Sequence, residues 1–259
     1  MTVLNSGDQS VKVDKGELVN YSVSGHEFIH QKGSPGWRNS DTEMFPIIGP
    51  TNEADFKVST PKGKAVQDQH GLLREMAYER THHTKTKAVF NKIYRANTPI
   101  ENSKFPAKST KENLSWPYDF EFTKSFELKE NMLEVVFKII GEQGMPFMLG
   151  YHPAFKLSTA NPIIQANERQ ITLPEVMAVG SRAFQVPDCE KIVLKDTKSL
   201  EILTQGFGSF MLWTEVSNMV CIEPITFYPY GVTQDLLHEG FNELPNNSIH
   251  FKILLKPLE

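Results

Sequence analysis

Two proline-capped dipeptides carry the chemistry most worth testing in this chain: His-Pro at 152–153, within "GYHPAFKL", and Glu-Pro at 223–224, within "MVCIEPITFYP". Proline biases the residue before it toward extended geometry, so His152 should sit at the end of a strand or just past it. Glu223 is embedded in an apolar strand expected to end at Pro224. Imidazole, with an ordinary pKa of ~6.5, is the cheapest proton donor near neutrality. A glutamate is rarely fully buried without a partner, and in a partly dry cleft its pKa climbs from ~4.3 toward neutrality, which suits a general base. One such acid and one such base can shuttle protons without metal or cofactor. On the residues alone, His152 reads equally as a core histidine satisfied by a backbone carbonyl, and Glu223 as a strand residue pointing to water.

A third candidate is His70 in "DQHGLLRE", placed before Gly71 and four residues ahead of Arg74. Glycine there permits an unusual turn that brings backbone close to a ligand; an ordinary turn histidine is the alternative. His82 and His83, in "ERTHHTKTK", read as a solvated strand face, and His26, His30, His238 and His250 sit in similarly polar contexts. Cys189 and Cys221 cannot build a disulfide framework, and neither belongs to a CxxC pair. GxSxG, Walker A, dinucleotide-binding and HExxH patterns are absent from the sequence, and no metal site is expected.

The elements that must position these groups are strands. In "YDFEFTKSFELKENMLEVVFKII", Phe120, Phe122, Phe126 and Leu128 alternate into a polar turn at Lys129–Asn131, and Leu133, Val135, Phe137 and Ile139 return, which predicts an antiparallel hairpin with one buried face. "SFMLWTEVSNMVCIEP" predicts two strands joined at 215–218, with Glu223 and Cys221 on one face and Val220 and Ile222 on the other. Helical periodicity is confined to a turn or two in "LPEVMAVG" and "TQDLLHEGF". Sixteen glycines and sixteen prolines punctuate the strands at short intervals, which favours an all-β sandwich or barrel over an α/β fold. Residues 96–116 read as a long surface loop, and with no repeat or linker the whole of 1–259 is expected to form one domain.

Composition excludes several partners. A net charge of −4 gives no electrostatic case for nucleic acid or an anionic membrane. No run approaches the ~20 apolar residues of a membrane helix, and the polar start "MTVLNSGDQSVKVDKGE" lacks a signal-peptide core, so a cytoplasmic location is expected.

Five short motifs, in order, resemble those of the galactose mutarotase-like (aldose 1-epimerase) family, in its branch of smaller, divergent members: "GWRNSDTEMFPIIGP", "QHGLLRE", "WPYDFEF", "GYHPAFKL" and "VCIEPIT". The resemblance implies a large antiparallel β-sandwich, the galactose mutarotase-like supersandwich, whose concave face binds a hexose or hexose phosphate and interconverts its α and β anomers without a cofactor. It implies Glu223 as base on the anomeric hydroxyl and His152 as acid on the ring oxygen. His70 and Arg74 would hold sugar hydroxyls, with Arg38 as a further candidate should the sugar carry a phosphate. Three positions depart from the family pattern: Pro50 replaces an arginine that reaches the sugar, Ala154 an aromatic, and Ile225 an aromatic after Glu-Pro. These losses keep open a second function, a carbohydrate-binding protein without turnover, and a third, a polysaccharide-processing enzyme on a similar sandwich.

Overall fold

The structure, a computed structural model, describes residues 1–258. Two large antiparallel sheets enclose the main core, as expected for an all-β sandwich. The larger has nine strands, in the order 169–172, 163–166, 191–195, 199–205, 248–258, 132–141, 120–129, 87–94 and 79–83. The second has six: 184–186, 209–213, 219–225, 150–151 and 43–44 in sequence across the sheet, with 154–156 also paired to 219–225. A four-stranded N-terminal sheet formed by 2–6, 9–14, 17–23 and 26–27 completes the main architecture. Among the described residues no helix is long and apolar enough to cross a membrane.

The central hairpin follows the alternation read from the sequence: Phe120 pairs with Gly141 and Lys129 with Met132, and every second side chain turns inward. Phe122 and Phe137 meet with ring centroids 5.9 Å apart, and Phe137 reaches across to Tyr151 of the opposing sheet at 5.1 Å. The two short helical stretches are also present. Residues 173–179 form an α-helix whose Thr172–Glu175 capping box satisfies its first amides, and 234–240 form a 3-10 turn.

Three expectations are refined or corrected. The strand carrying Glu223 does not end at Pro224 but runs from Met219 to Ile225. Proline cannot donate to the ladder, and the register that pairs Gly150 with Ile225 sets Pro224 opposite Tyr151, the last strand residue before the neighbouring chain is interrupted at His152–Pro153. His30 is buried rather than solvated, since Ile29 bridges to Phe155 and the His30 amide bonds Ala154 O at 2.8 Å, drawing this segment onto the sheet edge. Residues 96–116 form a mostly exposed excursion closed by its own two-residue strand pair, and buried Asn102 pins it to the loop that bears His70: Asn102 Nδ2 donates to Asp68 Oδ2 at 2.9 Å.

Candidate active site

The two proline dipeptides face each other across one seam of the six-stranded sheet. Gly150 pairs with Ile225 on one side of the interruption and Ala154 with Cys221 on the other, in the same register. Carried through the gap, that register sets His152 directly opposite Glu223. Neither proline has an N–H, so the seam loses donors where the two candidate side chains stand. On the other side His152 N–H bonds Thr42 O at 2.7 Å, and Glu223 pairs with Met211. Thr42, His152, Glu223 and Met211 therefore form one row across the sheet, and a directly opposed row shares a face.

His70 and Arg74 reach this row from a separate segment. His70 and Gly71 both adopt positive φ, 70° and 79°, and a Cβ on Gly71 would lie 2.2 Å from Phe45 O. Only glycine fits so close an approach. The Phe45 amide bonds His70 O, and Leu73 N–H bonds Phe45 O, each at 3.1 Å, which locks the turn against the sheet. Gly71→Ala is accordingly expected to cost about 1–3 kcal/mol, because both the left-handed backbone and the contact must give. Thermal unfolding of the variant checks this; an unchanged midpoint would mean that the turn can move freely.

The four candidates line a single cavity of about 220 Å³, together with Trp37, Gln69, Met211, Trp213, Glu215 and Tyr230 among others. Arg38 is exposed and does not line it. His152 Nε2 lies 3.4 Å from Glu223 Oε1, and both side chains are nearly inaccessible, at 5% and 1% exposure for the residues. Arg74 Nη2 donates to Thr42 Oγ1 at 2.8 Å, so the guanidinium is anchored to the strand beside His152. The Gly49 amide donates to His70 Nδ1 at 3.2 Å, leaving the proton of the neutral ring on Nε2. A larger groove of about 570 Å³ runs along the N-terminal sheet and the last strand, but it is lined by exposed Asp8 and Lys198 and by none of the four candidates.

Burial dominates the electrostatics. It pushes the Glu223 carboxyl well above the usual range, against the opposing pull of Arg74. Burial, reinforced by the Arg74 charge, pushes His152 down to about 3, and the same two causes hold His70 well below its ordinary value. Both shifts act against the charged forms, favouring the carboxylic acid on Glu223 and the neutral imidazole on His152. Moving one proton from Oε1 to Nε2 converts that pair to a carboxylate and an imidazolium with the total proton count unchanged.

These shifts set opposite pH dependences of stability. An unfolded histidine takes up a proton as pH falls through 6.5 whereas folded His152 stays neutral to about 3, so stability drains away on acidification across that window. Unfolded Glu223 ionises above 4.5 while the folded carboxyl resists, so its stability contribution is lost as pH rises. The stability of Glu223→Gln relative to the parent should therefore grow as pH rises above 4.5, and that of His152→Asn should grow as pH falls below 6.5. Each slope is limited to about 1.4 kcal/mol per pH unit. Denaturant midpoints of the two variants against the parent across pH 4 to 8 would reveal parallel curves if either group titrated normally.

Trp37 is the residue that sequence reasoning passed over. Its indole lies parallel to the His152 imidazole, centroids 4.7 Å apart and planes 7° off, and Trp213 closes on both rings edge-on. An indole face favours a cation above it, which works against the burial that keeps His152 neutral. The signal in the sequence is the aromatic in "GWRN", a tryptophan in a polar, turn-rich stretch. With Tyr230, the two tryptophans supply the aromatic wall that Ala154 and Ile225 do not. Ile225 instead packs on Gly150, where a Cβ would meet its Cγ2 at 3.3 Å.

The aldose 1-epimerase family model matches residues 54–205, more than half of the chain. The chain belongs to the aldose 1-epimerase family. No curated protein matches it in sequence. Solved structures similar to this epimerase-family fold include a galactose mutarotase-like protein from Lactobacillus casei, at 13% identity, full coverage of both chains and a TM-score of 0.79. A galactose mutarotase related enzyme from Lactobacillus acidophilus is 19% identical, covering 99% of this chain and 97% of that one, with a TM-score of 0.75. An aldose epimerase homologue from C. elegans is 8% identical over 100% and 98% of the two chains, with a TM-score of 0.70. At such identities the likeness extends to the fold, and family membership rests on the sequence match.

Proposed function

We propose that the protein is a cofactor-independent aldose 1-epimerase acting on a free monosaccharide. The observation that carries this reading is the opposition of His152 and Glu223 at 3.4 Å on the floor of a 220 Å³ cavity, with His70 and Arg74 on the same wall. Anomer exchange needs one proton removed from the C1 hydroxyl and one delivered to the ring oxygen, two atoms bonded to the same carbon. An acid and a base this close can serve both.

In the active form Glu223 is the carboxylate and His152 the imidazolium, reached by passing one proton between them. Glu223 takes the anomeric hydroxyl proton while His152 protonates the ring oxygen, and the C1–O5 bond opens to the free aldehyde. Rotation about C1–C2 and closure on the other face, with both proton transfers reversed, give the opposite anomer. His70 Nε2–H and the Arg74 guanidinium donate to sugar hydroxyls. Trp37, stacked on His152, keeps the imidazole from tilting away and excludes water from its face.

The lining favours a neutral hexose over its phosphate. It sets Arg74 against two carboxyl residues, Glu215 and Glu223, and a phosphate needs an excess of cationic donors. The cavity is also smaller than the ~300–1,000 Å³ of drug-sized sites, which suits one sugar ring and disfavours an extended polysaccharide.

Polarimetry or NMR exchange with freshly dissolved α-anomers of several aldohexoses and their 6-phosphates tests the reading. Re-equilibration proportional to protein concentration, faster for the neutral sugars, is expected. Rates equal to buffer across the whole panel would overturn it, and saturable sugar binding without exchange would favour the non-catalytic alternative.

A further inference from the structure

One buried sulfur completes a ligand set that proton transfer does not use. Cys221 lies two residues before Glu223 on the same face of the same strand, opposite Ala154. Its thiol is free and fully buried in a small apolar cluster with Ala154 and Met219, against Trp37 and Trp213. One ligating atom each from His152, Cys221 and Glu223 fall within 4.8 Å of one another. Glu223 Oε1, the oxygen nearest His152 Nε2, is a buried atom without a hydrogen-bond partner.

We propose that His152, Cys221 and Glu223 form a binding site for a thiophilic divalent cation, Zn²⁺ foremost, and that metal occupancy and sugar turnover exclude each other. The site half stands on these three residues alone; the exclusion half rests on the function proposed above. Imidazole, thiolate and carboxylate are the ligand types of protein zinc, and three of them leave the fourth position for water. A tetrahedral ion with ~2.0–2.2 Å bonds to nitrogen and oxygen needs those two atoms about 3.3–3.5 Å apart. His152 Nε2 and Glu223 Oε1 already stand at 3.4 Å. One ligating atom of each residue already lies within 4.8 Å of the other two, and sulfur must close to about 3.6 Å of the nitrogen and oxygen to complete the set.

Binding releases the thiol proton of Cys221, and the carboxyl proton of Glu223 where it is held. The ligands supply only lone pairs and nothing is oxidised. A metal seated here occupies the lone pairs of both the acid and the base, so turnover stops while it is bound. Removing it restores the pair unaltered. Hard cations such as Mg²⁺, which demand oxygen ligands, are excluded by the same donor set.

Co²⁺ and Zn²⁺ titrations of the full chain test the site, in a His82→Ala/His83→Ala background that removes the exposed histidine pair. A thiolate-to-Co²⁺ charge-transfer band, bleached by Zn²⁺ and absent with Mg²⁺, is expected. Cys221→Ala and Cys221→Ser should lose the band and weaken Zn²⁺ by more than the ~10–100-fold typical of lost outer-shell partners. Zn²⁺ should suppress anomer exchange of the background protein about 10²-fold, reversed by EDTA, while the Cys221 variants keep their exchange rate in its presence. Metal binding that survives loss of Cys221, or a bound Co²⁺ without the charge-transfer band, would overturn the site. A Cys221-dependent band in a protein without exchange on any sugar would keep the site and remove the epimerase reading.

Discussion

Glu223→Gln is expected to slow anomer exchange about 10²–10⁴-fold, the range of a positioned acid–base group, with the sugar still bound. The amide keeps the shape of the carboxyl and its place opposite His152, but it cannot take the proton of the anomeric hydroxyl. It also removes the carboxyl proton that would charge His152, so the imidazole is left neutral. The loss should therefore fall on kcat, with KM little moved, because in the proposed complex His70 and Arg74 hold the sugar. The variant should fold at least as well as the parent at neutral pH, where burial opposes ionisation of the natural carboxyl. Retention of full exchange activity would show that Glu223 is a structural acid and that the base lies elsewhere.

Lys124→Met is expected to destabilise the fold by about 3–5 kcal/mol, the cost of leaving buried charges without their partner. Lys124 is fully buried, and its Nζ lies 2.7 Å from Asp41 Oδ2 and 2.6 Å from Glu43 Oε1. Tyr151 donates to the same Asp41 oxygen at 2.6 Å, and Lys92, also buried, bonds Leu73 O at 2.8 Å and approaches Glu43 at 3.9 Å. Burial raises Asp41 to about 6, while Lys124 and Lys92 overcome burial to hold Glu43 below its ordinary value. This network sits directly behind the site: Thr42, between the two acids in the chain, carries both the His152 amide and the Arg74 guanidinium. Lys124→Met should lower the midpoint of thermal unfolding by about 10 °C or more and weaken sugar binding with it. Adding Asp41→Asn, with Glu43 left to face buried Lys92, should recover much of the stability, because the remaining carboxylate and ammonium still match. A Lys124→Met protein as stable as the parent would mean that water reaches the acids.

Both experiments turn on residues that differ in how plainly the sequence announces them. Lys124 occupies the inward slot between Phe122 and Phe126 in a strand whose alternation is otherwise regular, and Lys92 does the same between Phe90 and Tyr94. Alternation places both lysines on the core side, yet a charged residue there passes for a break in the pattern unless its partners are known. Those partners, Asp41 and Glu43, come from a distant edge strand and the residues just before it. Trp37 was similarly visible as a residue but not as a neighbour of His152.

By itself, the sequence determined the local rules of this protein. Period-two hydrophobicity and frequent turn residues specify strands and hairpins, because each depends only on near neighbours along the chain. His-Pro and Glu-Pro specify two extended, stiffened sites, for the same local steric reason. The tertiary structure alone decided that these sites share one register, that Thr42 and Arg74 flank them, and that two tryptophans replace the aromatics missing at Ala154 and Ile225. Pairing between strands remote in sequence is set by how the entire core closes, and no local preference encodes it. In this fold that long-range register sets His152 3.4 Å from Glu223.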